Sequence, residues 1–196
     1  MRKKFGIILM TVGVMCIGFA MGLLLYNNYE NKKAMNSAND LVESIRFGIE
    51  QSVEEELDPF DEEMVVKEIN GYGYIGYLSI PALELELPVM SEWDYGRLKI
   101  SPCRYYGSTK TDNLVIAAHN YRFHFGYLGH LKPGDAVIFT DMESETRYYT
   151  VTSVELLMPT DVGKVKDTGD DLILYTCTYG GAKRITVRCS LNKPSD

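Results

Sequence analysis

The N-terminal part of the chain contains a long apolar run. Residues 5–26 carry no charged side chain, and at about 1.5 Å per helical residue this run is long enough to cross a membrane as an α-helix. Arg2, Lys3 and Lys4 precede the run, and the positive-inside rule assigns that end to the cytoplasm. We therefore expect a cytoplasmic tail (residues 1–4), a single-pass membrane anchor (residues 5–26) and an extracellular remainder.

A cleaved signal peptide is the alternative interpretation of this run. The apolar region of a signal peptide usually has about 7 to 15 residues and is followed by a small-x-small cleavage site. Ala20-Met21-Gly22 is a weak match to such a site, and it falls inside the apolar run rather than after it. The length of the run therefore favours a retained anchor.

Residues 27–70 are polar and charged, and they predict a helical and acidic linker. Apolar residues recur at every fourth position, as on one face of an amphipathic helix: Leu41, Ile45, Ile49 and Val53. This helix should either pack on the following domain or space that domain from the membrane. Asp58-Pro59-Phe60 interrupts the acidic stretch that follows and predicts a turn.

Residues 71–196 predict a domain built mainly of β-strands. Short apolar or alternating runs are separated by turn residues, a pattern typical of a barrel or sandwich of seven or eight strands. The runs are 74–80, 83–89, 114–118, 136–140, 148–157, 172–176 and 185–191. A polar loop between Phe139-Thr140-Asp141 and Arg147-Tyr148-Tyr149 predicts a hairpin.

The charge and the cysteines narrow the choice of function. A net charge of −7 argues against nucleic acid as a partner, since nucleic-acid-binding proteins present a basic face. Of the four cysteines, Cys16 lies in the apolar run, which leaves Cys103, Cys177 and Cys189 outside the membrane. An odd number in an oxidising compartment leaves at least one thiol without an intramolecular partner. A bridge between Cys103 and Cys189 is compatible with the sequence but not established by it.

Cys177 lies where nucleophilic chemistry is expected. It ends the run Leu172-Ile173-Leu174-Tyr175-Thr176-Cys177, immediately before a turn that contains Gly180-Gly181. In the next run Arg184 and Arg188 share one face, because side chains alternate along a strand. Positive charge near a thiol favours the nucleophilic thiolate. The alternative is that Cys177 is an inert core residue, as many free cysteines are.

His119 occupies a matching position, directly after the apolar run 114–118. His124 and His130 have no such placement and are interpreted as loop residues. His119 and His124 do not have a recurring metal-ligand spacing, so we predict no metal. The letters Gly71-Tyr72-Gly73-Tyr74-Ile75-Gly76 fit a phosphate-loop pattern, but no helix is predicted after them, and we predict no cofactor.

These motifs together resemble those of the sortases, the membrane-anchored cysteine transpeptidases of Gram-positive bacteria. Ile173-Leu174-Tyr175-Thr176-Cys177 is similar to the family signature T-L-x-T-C, with Ile in place of the first Thr. The segments 76–83 and 87–89 are similar to the family's first strands, and the segment 113–120 resembles its histidine-bearing segment. The resemblance implies an eight-stranded sortase β-barrel with short helices, preceded by the transmembrane helix and the linker.

The resemblance also implies roles for individual residues. Cys177 would be the nucleophile, His119 the general acid and base, and Arg184, which is favoured over Arg188, the donor to the oxyanion. Thr176 and Arg188 would contact the substrate. Asp58-Pro59-Phe60 resembles the lid anchor of pilin-polymerising sortases, although a plain turn is the competing interpretation.

The expected activity follows from these roles. The enzyme would cleave an L-P-x-T-G-like sorting signal, hold the acyl group as a thioester on Cys177 and transfer it to an amine of a cell-wall precursor or a pilin lysine. The catalytic domain would lie outside the cell, attached to the membrane by the N-terminal anchor. Two alternatives remain open at this point: a membrane-anchored β-domain that binds or scaffolds surface proteins, and a hydrolytic cysteine peptidase.

Overall fold

The computed structural model describes residues 2–52, 63–166 and 168–193. The chain divides into two compact units, Met1–Asn36 and Ser37–Asp196. The tripeptide Asp58-Pro59-Phe60 and the predicted helix residue Val53 lie outside the described residues.

The first element is a helix, α1 (Arg2–Ser52), which includes both the predicted anchor and the predicted amphipathic helix. Its segment Gly6–Tyr26 is long and apolar enough to cross a membrane, and none of that segment is buried within the protein. An exposed apolar segment of this length is compatible with a membrane anchor.

The C-terminal part of α1, which belongs to the second unit, packs on the strands of that unit through the predicted face. Ile45 and Ile49 are buried in an apolar cluster that also contains Tyr74, Met90, Cys103 and Ala117 of the strands and Leu98 and Met142 of the connections between strands. Arg46 forms an ion pair with Glu86 and lies 5.0 Å from the ring centroid of Tyr77. The helix therefore packs on the domain, one of the two alternatives left open for it.

The described part of the second unit contains nine strands that form one sheet. They are β1 (Lys67–Ile69), β2 (Tyr72–Ile80), β3 (Leu85–Met90), β4 (Cys103–Tyr106), β5 (Leu114–Ala118), β6 (Ala136–Asp141), β7 (Thr146–Leu157), β8 (Leu172–Cys177) and β9 (Arg184–Leu191). The order is β1-β2-β3-β4-β5-β8-β9-β7-β6, and β6 also pairs with β2. This last pairing closes β2 to β9 into an eight-stranded barrel, which confirms the predicted fold class.

Two strands were missed by the sequence pattern. β1 is a three-residue strand joined to β2 through Asn70-Gly71, where both residues have positive φ, as a tight hairpin turn requires. β4 has four residues, and its pairing with β5 is interrupted by a bulge between Arg104 and Tyr106. Runs this short or this irregular do not produce a clear alternation of apolar and polar positions.

The interior of the barrel is filled by alternate side chains of the strands. On β8 and β5 the inward residues include Leu172, Leu174, Leu114 and Ile116. The intervening residues Ile173 and Val115 belong to a separate cluster on the outer face. The sheet is thus apolar on both faces in this region, because loops cover its outer side.

Cys103 and Cys189 do not form the disulfide that the sequence left open. Both thiols are free and buried, Cys189 inside the barrel and Cys103 in the cluster shared with α1. The sheet separates the two clusters, because Cys189 points inward from β9. Burial raises the pKa of each thiol to about 12.

Gly76 is required by the closure of the barrel, and this leads to a prediction for stability. Its φ is +144°, and a Cβ atom there would lie 2.1 Å from the carbonyl oxygen of Thr140 on β6. We expect Gly76→Ala to lower the free energy of unfolding by about 2 kcal/mol or more, because both the backbone strain and the clash oppose it. Denaturant titration of the full chain in detergent micelles measures this loss.

Gly134→Ala is the matched control for this variant. Gly134 also has a positive φ, of +98°, but a Cβ atom there would meet nothing within 4 Å. The control should therefore lose only about 1 kcal/mol through strain. Equal losses in the two variants would contradict the proposed role of close contact between β2 and β6.

Candidate active site

The site is built at the edge of the barrel where two parallel strands end. β5 and β8 are hydrogen-bonded neighbours in parallel, with Ala118 opposite Thr176 as the last pair. His119 directly follows β5, and Cys177 is the last residue of β8. Since neighbouring strands lie about 4.8 Å apart, the parallel register brings the imidazole and the thiol to the same edge.

The third strand of the site is β9, which runs antiparallel to β8. Cys177 and Arg184 are directly opposite each other in this pairing. Opposite residues of antiparallel strands project to the same face, so the guanidinium group lies on the same side of the sheet as the thiol. The alternation along both strands places these two side chains on the outer face of the barrel, since Leu174 and Ile185 point to the interior.

The three residues line a common cleft of about 200 Å³. Its other walls come from the connection between β3 and β4, from β4, and from the connection between β7 and β8. The lining residues besides His119, Cys177 and Arg184 are Trp93, Tyr95, Leu98, Tyr105, Ala117, Ala118, Pro159, Val162, Tyr175 and Thr176. The predicted convergence of thiol, imidazole and guanidinium is thus seen in the structure.

His119 is partly buried and held by an aromatic neighbour. Its ring stacks on Tyr121 with a centroid distance of 4.9 Å and an interplanar angle of 29°. Nε2 is buried and has no hydrogen-bond partner among the residues that the structure describes. Burial lowers the pKa of His119, and the positive charge of Lys99 lowers it further. The neutral imidazole is therefore favoured near neutral pH.

Polar contacts hold the ends of β5 and β8 together. The Thr176 hydroxyl donates a hydrogen bond of 2.8 Å to the carbonyl of Ala118, and the Asn120 side-chain amide donates one of 3.3 Å to the carbonyl of Thr178. Thr176 is only 2% exposed, so its side chain offers little surface to a substrate. In the structure this residue joins the two strands.

The turn after Cys177 positions Arg184. The Thr178 amide donates to the carbonyl of Lys183 at 2.9 Å, and the Gly181 amide donates to the carbonyl of Thr178 at 2.8 Å. Nη1 of Arg184 donates to the carbonyls of Gly181 and Lys183, at 2.9 and 3.2 Å. These bonds restrict the guanidinium group to the end of the cleft beside the thiol.

Arg188 shares the outer face with Arg184 but does not line the cleft. It pairs with Ile173 in the β8–β9 register, four residues away from Cys177 along β8. Its guanidinium group is bound by Glu155 and Asp170. A direct contact of Arg188 with substrate, as expected from the sequence, is therefore not supported by its surroundings.

An aromatic wall of the cleft was missed by the sequence analysis. Tyr105 stacks on Tyr175 at 6.0 Å between ring centroids, and Trp93 packs against Tyr105 at 5.4 Å. Burial raises the pKa of Tyr175, whereas the nearby charge of Arg184 acts in the opposite direction. Trp93 lies in a connection and Tyr105 in a strand that was not predicted, so no local pattern connected these rings.

The other two histidines lie apart from the thiol. His124 is buried, and burial lowers its pKa to about 4, with the nearby His119 acting in the same direction. His130 is exposed and stacks near Tyr127 at 5.3 Å. Among residues 2–52, 63–166 and 168–193, no three His, Cys, Asp or Glu side chains converge on a position that would suit a metal ion.

Comparisons with known proteins agree with this geometry. Residues 78–192 match the family model of the sortase domain. The chain is similar to sortase A of Bacillus anthracis, with 26% identity over 87% of this chain and 84% of the relative.

Two solved structures are also similar. Sortase C1 of Streptococcus agalactiae is 30% identical, over 66% of this chain and 72% of that one, with a TM-score of 0.55. Sortase C of Streptococcus pneumoniae, whose structure was described for its catalysis and pilin substrate specificity, has a TM-score of 0.57 and 24% identity over 79% of this chain and 90% of that one. Because the family model covers more than half of the chain and the closed barrel agrees with it, this protein belongs to the sortase family of cysteine transpeptidases.

Proposed function

We propose that this protein cleaves an L-P-x-T-G-like sorting signal and transfers its acyl part to an amine, with Cys177, His119 and Arg184 as the catalytic residues. The observation that carries the proposal is the convergence of these three side chains on one cleft through the registers of β5, β8 and β9. A thiol beside an imidazole and a guanidinium group is suited to acyl transfer through a thioester.

In the first half of the reaction, neutral His119 accepts the proton of the Cys177 thiol as the sulfur attacks the scissile carbonyl. A carbon–sulfur bond forms, and the electrons of the carbonyl π bond move to its oxygen. When the intermediate collapses, the carbon–nitrogen bond breaks and His119 returns the proton to the departing amine. A thioester on Cys177 and a neutral His119 remain.

In the second half, an incoming amine attacks the thioester. His119 accepts a proton from this amine, the new carbon–nitrogen bond forms, and the carbon–sulfur bond breaks. The proton then returns to the Cys177 sulfur, so the enzyme is regenerated. Arg184 donates hydrogen bonds to the oxyanion in both halves, because its permanent charge and planar donors suit developing negative charge.

The aromatic wall gives the proposed peptide a place to bind. Tyr105, Tyr175 and Trp93 form an apolar surface that suits the leucine and proline of such a signal. The connection between β7 and β8 also lines the cleft, through Pro159 and Val162, and we propose that it sets sequence preference.

We also propose where the enzyme is located and which amine accepts the acyl group. α1 anchors the chain in the membrane with its N-terminus in the cytoplasm, and the barrel lies on the outer side, as the basic residues before the apolar segment indicate. The acceptor is an amine of a cell-wall precursor or a pilin lysine. The similarity to sortase C structures, one of them described for pilin substrate specificity, favours the lysine.

Detection of a covalent acyl adduct tests whether Cys177 is the nucleophile. The full chain in detergent, incubated with an L-P-x-T-G peptide, should gain the mass of the acyl fragment on Cys177, and a lysine-containing or oligoglycine peptide should discharge it. Mass spectrometry of the intact chain and its fragments measures both steps. Cys177→Ala should form no adduct, whereas Cys189→Ala, which removes a buried thiol, should still form it.

Two results would contradict this assignment. An adduct that persists in Cys177→Ala would exclude this residue as the nucleophile. Release of free acid at the same rate with and without added amine would identify a hydrolase rather than a transferase.

Removal of the Arg184 guanidinium group should slow the chemical step. Loss of one oxyanion donor typically raises the barrier by about 2.7 to 4 kcal/mol, so Arg184→Ala should lower kcat by about 10²- to 10³-fold. Arg184→Lys keeps the charge but not the planar donors and should recover part of this loss. Steady-state kinetics measures the effect, with the melting temperature as the control for folding. A kcat within twofold of wild type in Arg184→Ala would exclude the proposed role.

The lowered pKa of His119 predicts the pH dependence. Because the neutral imidazole is needed to accept a proton, kcat/KM should fall on the acid side with a midpoint below about 6.5, the ordinary value for histidine. Lys99→Gln removes a positive charge that lowers this pKa, so the midpoint should move to higher pH. Lys132→Gln, at another exposed lysine, should leave it in place. A shift to lower pH in Lys99→Gln would contradict the assignment of this limb to His119.

A further inference from the structure

The described part of the connection between β7 and β8, residues 158–166 and 168–171, forms one wall of the cleft, and it has two unlike halves. Residues 158–163 include Pro159 and Val162, which face the cleft and are exposed. Their hydrogen bonds are local: the amide of Met158 donates to a carboxylate oxygen of Asp161 at 3.0 Å. The hydrogen bonds of this half stay within the connection, so its position depends on how the connection is attached at β7 and at its second half.

The second half is attached to the barrel by Arg188. Nε of this guanidinium group donates to Glu155 at the end of β7, and Nη1 donates to Asp170 just before β8. Nη2 donates to the backbone carbonyl of Lys164 in the middle of the connection, at 2.7 Å. One side chain of β9 thus joins strand β7 to the middle and the end of this wall.

The ion pairs of Arg188 with Asp170 and Glu155 are partly buried, unlike ion pairs on an exposed surface. The Arg188 side chain is 17% exposed, and the side chains of Asp170 and Glu155 are 21% and 38% exposed. Charge-assisted hydrogen bonds that are partly shielded from water are stronger than exposed ones, and loss of one partner leaves the others without compensation.

Apolar and cation–π contacts support the same half. Val165 is buried against Val115, Leu157 and Ile173 on the outer face of the sheet. Nζ of Lys166 lies 5.0 Å from the ring centroids of both Tyr105 and Tyr106. The segment 164–166 is therefore held between Arg188 and the aromatic wall, which couples the two sides of the cleft.

We propose that Arg188 is a positioning residue that fixes the described part of this connection, residues 158–166 and 168–171, as a wall of the peptide groove without touching the peptide. This proposal rests on the proposed function, because it assigns that wall a role in peptide binding. It explains why two arginines on the same face of β9 differ: Arg184 lines the cleft, whereas Arg188 is neutralised by two carboxylates.

Limited proteolysis tests the anchoring without any need for activity. Trypsin cuts after Lys164 and Lys166, and cleavage at these sites requires the backbone of the segment to open away from Arg188, which binds the carbonyl of Lys164. In the full chain in detergent, Arg188→Gln should increase the rate of cleavage at these two sites by about tenfold or more, since local opening becomes easier. Mass spectrometry of the fragments identifies the sites.

Arg147→Gln is the matched control. Arg147 is another half-buried arginine with two acidic partners, Asp112 and Glu145, but it does not line the cleft. This variant should leave cleavage after Lys164 and Lys166 unchanged. Asp170→Asn removes only the last of the three contacts and should give a smaller increase than Arg188→Gln, which keeps the test usable if the arginine variant does not fold.

Kinetics with the sorting-signal peptide tests the consequence for binding. Arg188→Gln should raise KM by about fivefold or more with kcat within twofold of wild type, because a displaced wall weakens binding of substrate and transition state alike. Arg188→Lys keeps one ion pair, so its KM should lie between those of wild type and Arg188→Gln. Arg147→Gln should leave KM unchanged.

Proteolysis tests whether Arg188 anchors the connection, and kinetics tests whether this anchoring supports peptide binding. Unchanged cleavage in both Arg188→Gln and Asp170→Asn would overturn the anchoring, and a lower kcat with unchanged KM would overturn the positioning role. If wild type itself transfers no acyl group from any sorting-signal peptide, the proposed function fails, while the proteolysis result still decides whether Arg188 holds the wall.

Discussion

The parallel pairing of β5 with β8 is the constraint on which the site depends. Ala118 and Thr176 form its last pair, and the hydroxyl of Thr176 donates a hydrogen bond to the carbonyl of Ala118. His119 and Cys177 therefore lie side by side at the edge of the barrel. A slip of one residue would turn every side chain of β8 to the opposite face and direct the thiol into the core. The apolar residues Leu172 and Leu174 oppose such a slip, because they are fully buried inside the barrel.

The two arginines on the outer face of β9, Arg184 and Arg188, lie in different surroundings. Arg184 lies opposite Cys177, donates to backbone carbonyls of the adjacent turn and forms a side-chain hydrogen bond with Tyr175. Arg188 lies four residues further along the same strand and is bound by Glu155 and Asp170. The same residue type on one face thus has two environments. The nearby carboxylates, rather than the arginines themselves, make the difference.

Much of the fold could be predicted from local pattern. The bounds of β5 agreed with the apolar run, and the hairpin of β6 and β7 was predicted from its polar loop. The apolar face of α1 at Ile45 and Ile49 is buried as expected from spacing alone. β1 and β4 were missed because they are short, and because β4 is interrupted by a bulge beside Arg104. The disulfide left open between Cys103 and Cys189 is absent, since a count of cysteines carries no information about the face on which each lies.

The amino-acid sequence by itself determined the long apolar segment near the N-terminus, most of the strands and the placement of His119 and Cys177 at the ends of two of them. These features depend on side-chain polarity at neighbouring positions, which local alternation expresses directly. Only the tertiary structure decided the different surroundings of Arg184 and Arg188, the aromatic wall around Tyr105 and the separation of the two buried cysteines. These depend on which distant strands pair and in what register, and such long-range contacts leave no periodic signal in the chain.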